Sequence, residues 1–255
     1  MNFKTHNDME NRFKGKTYLI TGANSGMGKC VTNFLIVEGA NLYLVDRNDS
    51  FIKTIVRENP CKIDYTCFDL SKPENIPSLF DEAKSKGFVF DGLVYCAGIS
   101  PLMSLKDFDL DKTLLTYNIN VISFMAMIKY FVEENYTNSN ASIVGISSNA
   151  AVYGGNRQYV YSSTKAAMNL VVKSCVKELA LRRTRINTIM PSTTNTEMVA
   201  ELRKQSDAID LNVKYKQPFG IVDPNEVAKN ILFLLSDESS SISGIALPVN
   251  NGEVY

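Results

Sequence analysis

Seven short β-rich runs, each separated from the next by a segment of helical period, constrain this chain more than any other feature of its 255 residues. The runs are KTYLIT, NLYLVD, KIDYTCF, DGLVYCAG, ASIVGIS, RINTIM and GIALPV. Between the first two, Met27, Cys30, Val31, Phe34 and Leu35 recur at the spacing of one helix face, and Gly39 closes the segment. Apolar strands alternating with helices bury both faces of a mostly parallel sheet and require right-handed crossovers. The pattern predicts a single doubly wound α/β domain of about seven strands with helices on both faces over residues 16–255, after a polar leader at 1–15. The rhythm breaks between Thr193 and Phe219, where a long excursion is expected to act as a substrate lid.

Composition narrows the partners. Lys plus Arg and Asp plus Glu both number 27, so no net field draws the chain to nucleic acid or to an anionic membrane. A small molecule is the expected partner. Cys30, Cys61, Cys67, Cys96 and Cys175 are scattered without a CxxC pair, which fits neither a disulfide framework nor zinc-ligand spacing and suits a reducing compartment. The start, MNFKTHNDMENRFKGK, has no apolar core, and no later run approaches the roughly 18 apolar residues that span a bilayer. The expectation is a soluble cytoplasmic protein. His6, the one histidine, lies in the leader, so neither a histidine-based triad nor a metal site is expected.

LITGANSGMG, from Leu19 to Gly28, places three glycines at the exit of the first strand. Such a turn lets backbone approach a ligand, and the free N–H groups of the new helix favour an anion, most often pyrophosphate. A ligand-free tight turn has the same glycines, so the partners decide. Asp46 ends the second strand, where an acid accepts hydrogen bonds from the adenosine ribose hydroxyls and repels a 2′-phosphate. Arg47 follows at once and is able to pair with that phosphate. The two pull in opposite directions; the carboxylate is expected to dominate, which favours NAD over NADP.

The TGxxxGxG spacing resembles the short-chain dehydrogenase/reductase family, and the resemblance runs from Lys16 to Gly252. YSSTK matches the family's YxxxK at Tyr161 and Lys165, with Ser148 thirteen residues upstream. The family's NNAG stands here as YCAG, Tyr95 to Gly98, and its PGxxxT segment as MPSTTNTEM, with Pro191 and Thr196 kept and Ser192 replacing glycine. Asp69 in CFDL and VNNG at Val249 are weaker matches. Asn118 and Asn120 compete for the family's helix asparagine, and NVISF and the distance to Ser148 favour Asn120.

The resemblance implies a Rossmann-type domain with Asn120, Ser148, Tyr161 and Lys165 as the catalytic set, Asn120 tying Lys165 to a proton-relay water. It implies a dinucleotide seat built from Gly22, Asn24, Ser25, Gly26, Met27, Gly28, Asp46, Arg47, Asp69, Leu70, Ala97, Gly98, Tyr161, Lys165, Pro191, Thr194 and Thr196. The Thr194 backbone and Thr196 hydroxyl would hold the nicotinamide carboxamide. Ser148, Tyr153, Gly155 and Tyr159 are the expected walls of the substrate pocket.

Moving a hydride to a carbonyl carbon needs a proton donor at the oxygen, and the reverse needs a base. Tyrosine does neither well at its ordinary pKa of about 10. Tyr161 and Lys165 are four apart and share a helix face, so the ammonium is expected to stabilise the phenolate. Tyr159 is followed at that spacing by Ser163 and is expected to be a substrate-pocket wall or a packing residue.

These residues predict an NAD(P)-dependent oxidoreductase interconverting a secondary alcohol and a ketone, such as a hydroxysteroid, a sugar derivative or a cyclic alcohol. A 3-oxoacyl carrier-protein reductase is the alternative, against which Asp107, Asp109, Asp111, Glu133 and Glu134 outnumber Lys106, Lys112 and Lys129 where an acidic carrier would land. A catalytically silent NAD(P)-sensing protein is the reading of another class, motivated by Tyr95, Cys96 and Ser192. Val121, Phe124, Met125, Ile128, Met168, Val171 and Val172 exceed what one sheet-facing stripe needs. The family resemblance implies a homotetramer, or a homodimer, built on those helices.

Overall fold

The computed structural model describes residues 12–59, 62–205, 213 and 216–254. The leader's first eleven residues with His6, Cys61, and positions 206–212, 214 and 215 of the expected lid lie outside the described residues.

Each β-rich run forms a strand: β1 (Thr17–Thr21), β2 (Asn41–Asp46), β3 (Ile63–Cys67), β4 (Phe90–Tyr95), β5 (Thr137–Ile146), β6 (Arg185–Pro191) and β7 (Ala246–Val249). They make one sheet in the order β3-β2-β1-β4-β5-β6-β7, with every pairing parallel. The helices are α1 (Gly26–Val37), α2 (Ser50–Glu58), α3 (Ile76–Ser85), α4 (Leu110–Tyr117), α5 (Ser123–Phe131), α6 (Ala150–Tyr153), α7 (Tyr159–Leu179), α8 (Glu197–Arg203) and α9 (Pro224–Leu235). The result is a single Rossmann-type α/β domain.

Strand alternation sorts the core into two layers. Tyr18, Ile20, Leu42, Leu44, Val94 and Val144 face the cluster closed by Val31 and Leu35 of α1 and Val227 and Ile231 of α9. Leu19, Tyr43, Val45, Leu93 and Ile143 face the opposite cluster, closed by Phe80 of α3, Phe124 of α5 and Met168 and Val172 of α7. Burial on both faces is why the strands read as nearly unbroken apolar runs. Strand order reverses between β1 and β4, which opens a crevice at the carboxyl ends of the sheet where ligands bind in such folds.

Three expectations change. β5 begins at Thr137, four residues before its apolar run, because polar Thr137 still pairs with Phe90 before the register shifts between Phe90 and Gly92. The α4–α5 helix is interrupted by a π turn at Asn118–Ile122, which apolar periodicity does not reveal. Val121, Phe124, Ile128, Met168 and Val172 are buried core; of the expected surplus Met125 is exposed, and Leu110, Leu114, Leu115, Ile122 and Leu170 join it as uncovered apolar residues of this region. Among the described residues no helix is long and apolar enough to cross a membrane.

Candidate active site

The glycine turn leaves β1 and enters α1 against the end of β4. A Cβ at Gly28 would lie 2.1 Å from the Gly22 carbonyl oxygen, and one at Gly22 would lie 2.8 Å from the Ala97 nitrogen. Gly22 also has a positive φ of 65°. Only glycine satisfies this backbone, which closes on itself to make a cradle.

Over the turn opens a cavity of about 340 Å³ lined by Gly22, Asn24, Ser25, Gly26, Met27, Gly28, Asp46, Arg47, Asp69, Leu70, Ala97, Gly98 and Thr196. Asn48, Phe68, Cys96, Ile99, Ile119, Glu197 and Met198 complete the wall and were not anticipated. Of the expected seat, Pro191, Thr194, Tyr161 and Lys165 do not line this cavity. Thr194 is buried, with its hydroxyl donating to the Ser192 carbonyl at 2.9 Å. The Thr196 hydroxyl caps α8 by accepting from the Val199 N–H.

The Asp46 carboxylate accepts from the Asn24 and Asn48 N–H groups, each at 3.1 Å. Asn24 turns its own side chain to the start of α2, accepting from the Phe51 N–H at 2.9 Å. Asp69 is held below the ordinary carboxylate range, chiefly by the backbone and side-chain hydrogen bonds of Ser71. Glu197, from the start of α8, accepts a hydrogen bond from the Gly26 N–H at 3.0 Å. This carboxylate is a stand-in for an anionic oxygen at the N-terminus of α1. The glycine cradle and that occupied donor both fit a dinucleotide's pyrophosphate.

A second cavity, of about 210 Å³, shares the Met198 wall with the first. Ser148, Tyr153, Gly155 and Tyr161 line it, as expected, together with Ser100, Gln158, Ser192, Val199, Leu202 and Lys216. Tyr159 does not line it: it is half-buried, and its hydroxyl is buried without a protein partner.

Ser148 follows β5 at the sheet's carboxyl edge, and its Oγ accepts from the Ala150 N–H at 3.1 Å, opening α6. Tyr161, on α7, faces the same cavity as Ser148. Burial pushes the Tyr161 phenol up to about 12, with Ser148 pulling the other way. The Lys165 amine donates to the Ile146 carbonyl at 2.5 Å and lies 5.7 Å from the centre of the Tyr161 ring. Burial brings its pKa down to about 8. Burial disfavours the charged form of each group.

The π turn presents Asn120 inward. Its Oδ1 accepts from the Ile99 N–H at 2.9 Å, and its Nδ2 donates to the Ile99 carbonyl and the Thr164 hydroxyl, each at 3.0 Å. A Cβ at Gly98 would meet Asn120 Oδ1 at 3.3 Å and Lys165 Nζ at 3.4 Å, so Asn120 and Lys165 flank that glycine. Asn118 points elsewhere, to the Ser71 carbonyl. Tyr95, standing where the resemblance has asparagine, is buried and donates from its hydroxyl to the Ile119 carbonyl at 2.5 Å, tying β4 to the π turn. Cys96 packs beside it, its thiol pushed up to about 12 by burial. Among the described residues no cluster of three or more histidine, cysteine or acidic side chains is placed to hold a metal.

The family model described as "Enoyl-(Acyl carrier protein) reductase" matches residues 22–253. The 3-oxoacyl-(acyl-carrier-protein) reductase FabG of Thermotoga maritima is 32% identical over 249 residues, covering 95% of this chain and 99% of its own. The cyclopentanol dehydrogenase of Comamonas testosteroni is 27% identical over 244 residues, covering 94% and 98%. A solved short-chain dehydrogenase/reductase of Brucella melitensis, titled glucose/ribitol dehydrogenase, superposes with a TM-score of 0.88 at 27% identity, covering 97% of this chain and all of that one. The chain belongs to the short-chain dehydrogenase/reductase family, the NAD(P)-dependent oxidoreductases that act on a CH–OH/ketone pair.

Proposed function

We propose that this protein interconverts a compact secondary alcohol and its ketone, with NAD favoured over NADP. The observation that carries the reading is that Ser148 and Tyr161 line one small cavity, which shares a wall with the dinucleotide cradle. When bound, the dinucleotide supplies the hydride acceptor or donor. Ser148 holds the substrate oxygen, and Tyr161 gives or takes the proton at that oxygen. Lys165 favours the phenolate once a second positive charge is near, and Asn120 holds the loop at Ile99 beside it. The Thr194 backbone and Thr196 hydroxyl are assigned to the nicotinamide carboxamide, which requires the Thr196 hydroxyl to redirect the proton it donates to the Thr194 carbonyl at 3.5 Å.

The cavity's size and its mixture of Ser100, Gln158 and Lys216 with Leu102, Val199 and Leu202 suit a sugar derivative or cyclic alcohol better than a steroid. The likeness to the cyclopentanol dehydrogenase supports the same class. A carrier-bound 3-oxoacyl substrate is the second reading, favoured by the likeness to the Thermotoga maritima reductase. Incubation with NADH or NADPH and a panel of cyclic ketones, sugar ketones and acetoacetyl thioesters, followed by nicotinamide absorbance, separates them. Oxidation confined to thioesters replaces the first reading with the second. Binding without oxidation across the panel moves the protein to the sensing class.

NAD preference rests on Asp46, whose carboxylate is locked into the cavity wall by two backbone N–H groups. Asp46→Ala is expected to weaken NADH about tenfold and to narrow the NADH/NADPH affinity ratio, because two charge-assisted hydrogen bonds and one repulsion disappear. Titration of both dinucleotides checks this, and an unchanged ratio refutes the ribose role. The free thiols of Cys30, Cys67, Cys96 and Cys175 support a reducing cytoplasm. Exposed Leu114, Leu115, Met125 and Leu170 support self-association through α4, α5 and α7, as a homotetramer or homodimer.

A further inference from the structure

Behind the substrate cavity the segment after β7 lies across the ends of β5 and β6. The Ser192 N–H donates to the Val249 carbonyl at 3.3 Å, and Asn250 and Glu253 close a tight turn through the Glu253 N–H and the Asn250 side chain. This turn buries Glu253 to 3% exposure. One carboxylate oxygen, Oε2, accepts from two separate segments: from Asn149 Nδ2 at 2.8 Å and from the Ser192 hydroxyl. Oε1 of Glu253 and Oδ1 of Asn149 are buried without a protein partner.

A buried carboxylate served by neutral donors, with an oxygen left over, is costly to keep. Its placement gives it a use. Asn149 directly follows Ser148, and its N–H donates to the Pro191 carbonyl at 3.0 Å. Ser192 lines the substrate cavity and, through its carbonyl, holds the Thr194 hydroxyl at 2.9 Å. Ser192 is also where the chain departs from the family's glycine. The hydroxyl that departure adds is the one that reaches Glu253.

We propose that Glu253 is a positioning residue that sets the spacing between the Ser148 side of the site and the Ser192–Thr196 segment, and so places the nicotinamide end of the cofactor. The inference rests on the dinucleotide reading above. Glu253 touches neither reactant; it acts through Asn149 and Ser192.

Calorimetric titration with NADH and with ADP-ribose, which lacks the nicotinamide, tests it. Glu253→Ala is expected to weaken NADH about tenfold while ADP-ribose stays within about twofold of wild type. Glu253→Gln keeps an acceptor and a matching shape, and is expected to restore NADH to within about threefold. Ser192→Ala breaks the same contact from the other side and reproduces the split if Glu253→Ala does not fold. Equal weakening of both ligands, unchanged NADH affinity, or failure of Gln to rescue overturns the positioning role. Wild-type protein that binds neither ligand overturns the dinucleotide reading, and this inference with it. Wild-type protein that binds both, with variants that show no split, overturns this inference alone.

Discussion

Replacing Tyr161 with phenylalanine is expected to cut turnover roughly 10³-fold, the range that a positioned proton donor contributes, while leaving dinucleotide affinity within about threefold of wild type. The phenyl ring keeps the packing of Tyr161 and loses only the hydroxyl that shares a cavity with Ser148. That loss corresponds to about 4 kcal/mol at the transition state. Steady-state rates on the ketone identified by the substrate panel, with NADH titration beside them, measure both quantities. Turnover within tenfold of wild type would remove Tyr161 from the proton-transfer role and leave Tyr153, the other phenol lining that cavity among the described residues, as the candidate.

Lys165→Met is expected to abolish turnover as well, and to make the protein more stable at neutral pH. Lys165 is 4% exposed, and its pKa falls from 10.5 to about 8 because burial penalises the ammonium. A lowered lysine costs stability fully below about pH 8, and the cost fades as pH rises towards 10.5, where the unfolded chain also loses the proton. The cost is roughly 3 kcal/mol. Methionine also leaves the Ile146 carbonyl without its donor, which returns about 1 kcal/mol. The net gain near pH 7 is about 2 kcal/mol, or about 4–8 °C in Tm for a chain of this size. Thermal unfolding at pH 7, 9 and 10 checks the sign: wild type gains on the variant as pH rises through that window. Parallel pH profiles for the two proteins would show that the amine's burial carries no such penalty.

The same pair shows what one dimension carries and what it leaves out. The spacing of Tyr161 and Lys165 on one helix face, and the placement of Ser148 at a strand's end, depend on local periodicity and were readable. The direction of their pKa shifts was not, because it depends on how much protein closes over them. The seven strands were readable because a sheet buried on both faces leaves unbroken apolar runs. Thr137 to Asn140 joined β5 through pairing with Phe90, and polar residues carry no such mark. Asn120 rather than Asn118 flanks Gly98 together with Lys165, and the π turn that aims it left no trace in the pattern. Tyr95 looked like a loss and proved to be a different tie between β4 and that turn. Glu197 and Glu253 were missed because each reaches its partner across a large separation in the chain, Gly26 for one and Asn149 and Ser192 for the other.

The sheet order also governs how the chain becomes competent. With every pairing parallel, no strand is completed by a neighbouring hairpin, and β1 waits for β4, which joins Thr21 to Tyr95. Contacts so distant in sequence close slowly, since the loop entropy is spent before the contacts form. The glycine cradle and Asp46 belong to the early half of the chain, and Ser148, Tyr161 and Lys165 to the late half. During refolding, recovered turnover therefore counts only molecules in which both halves have docked, whereas a native-like β1–β2 unit by itself contributes none.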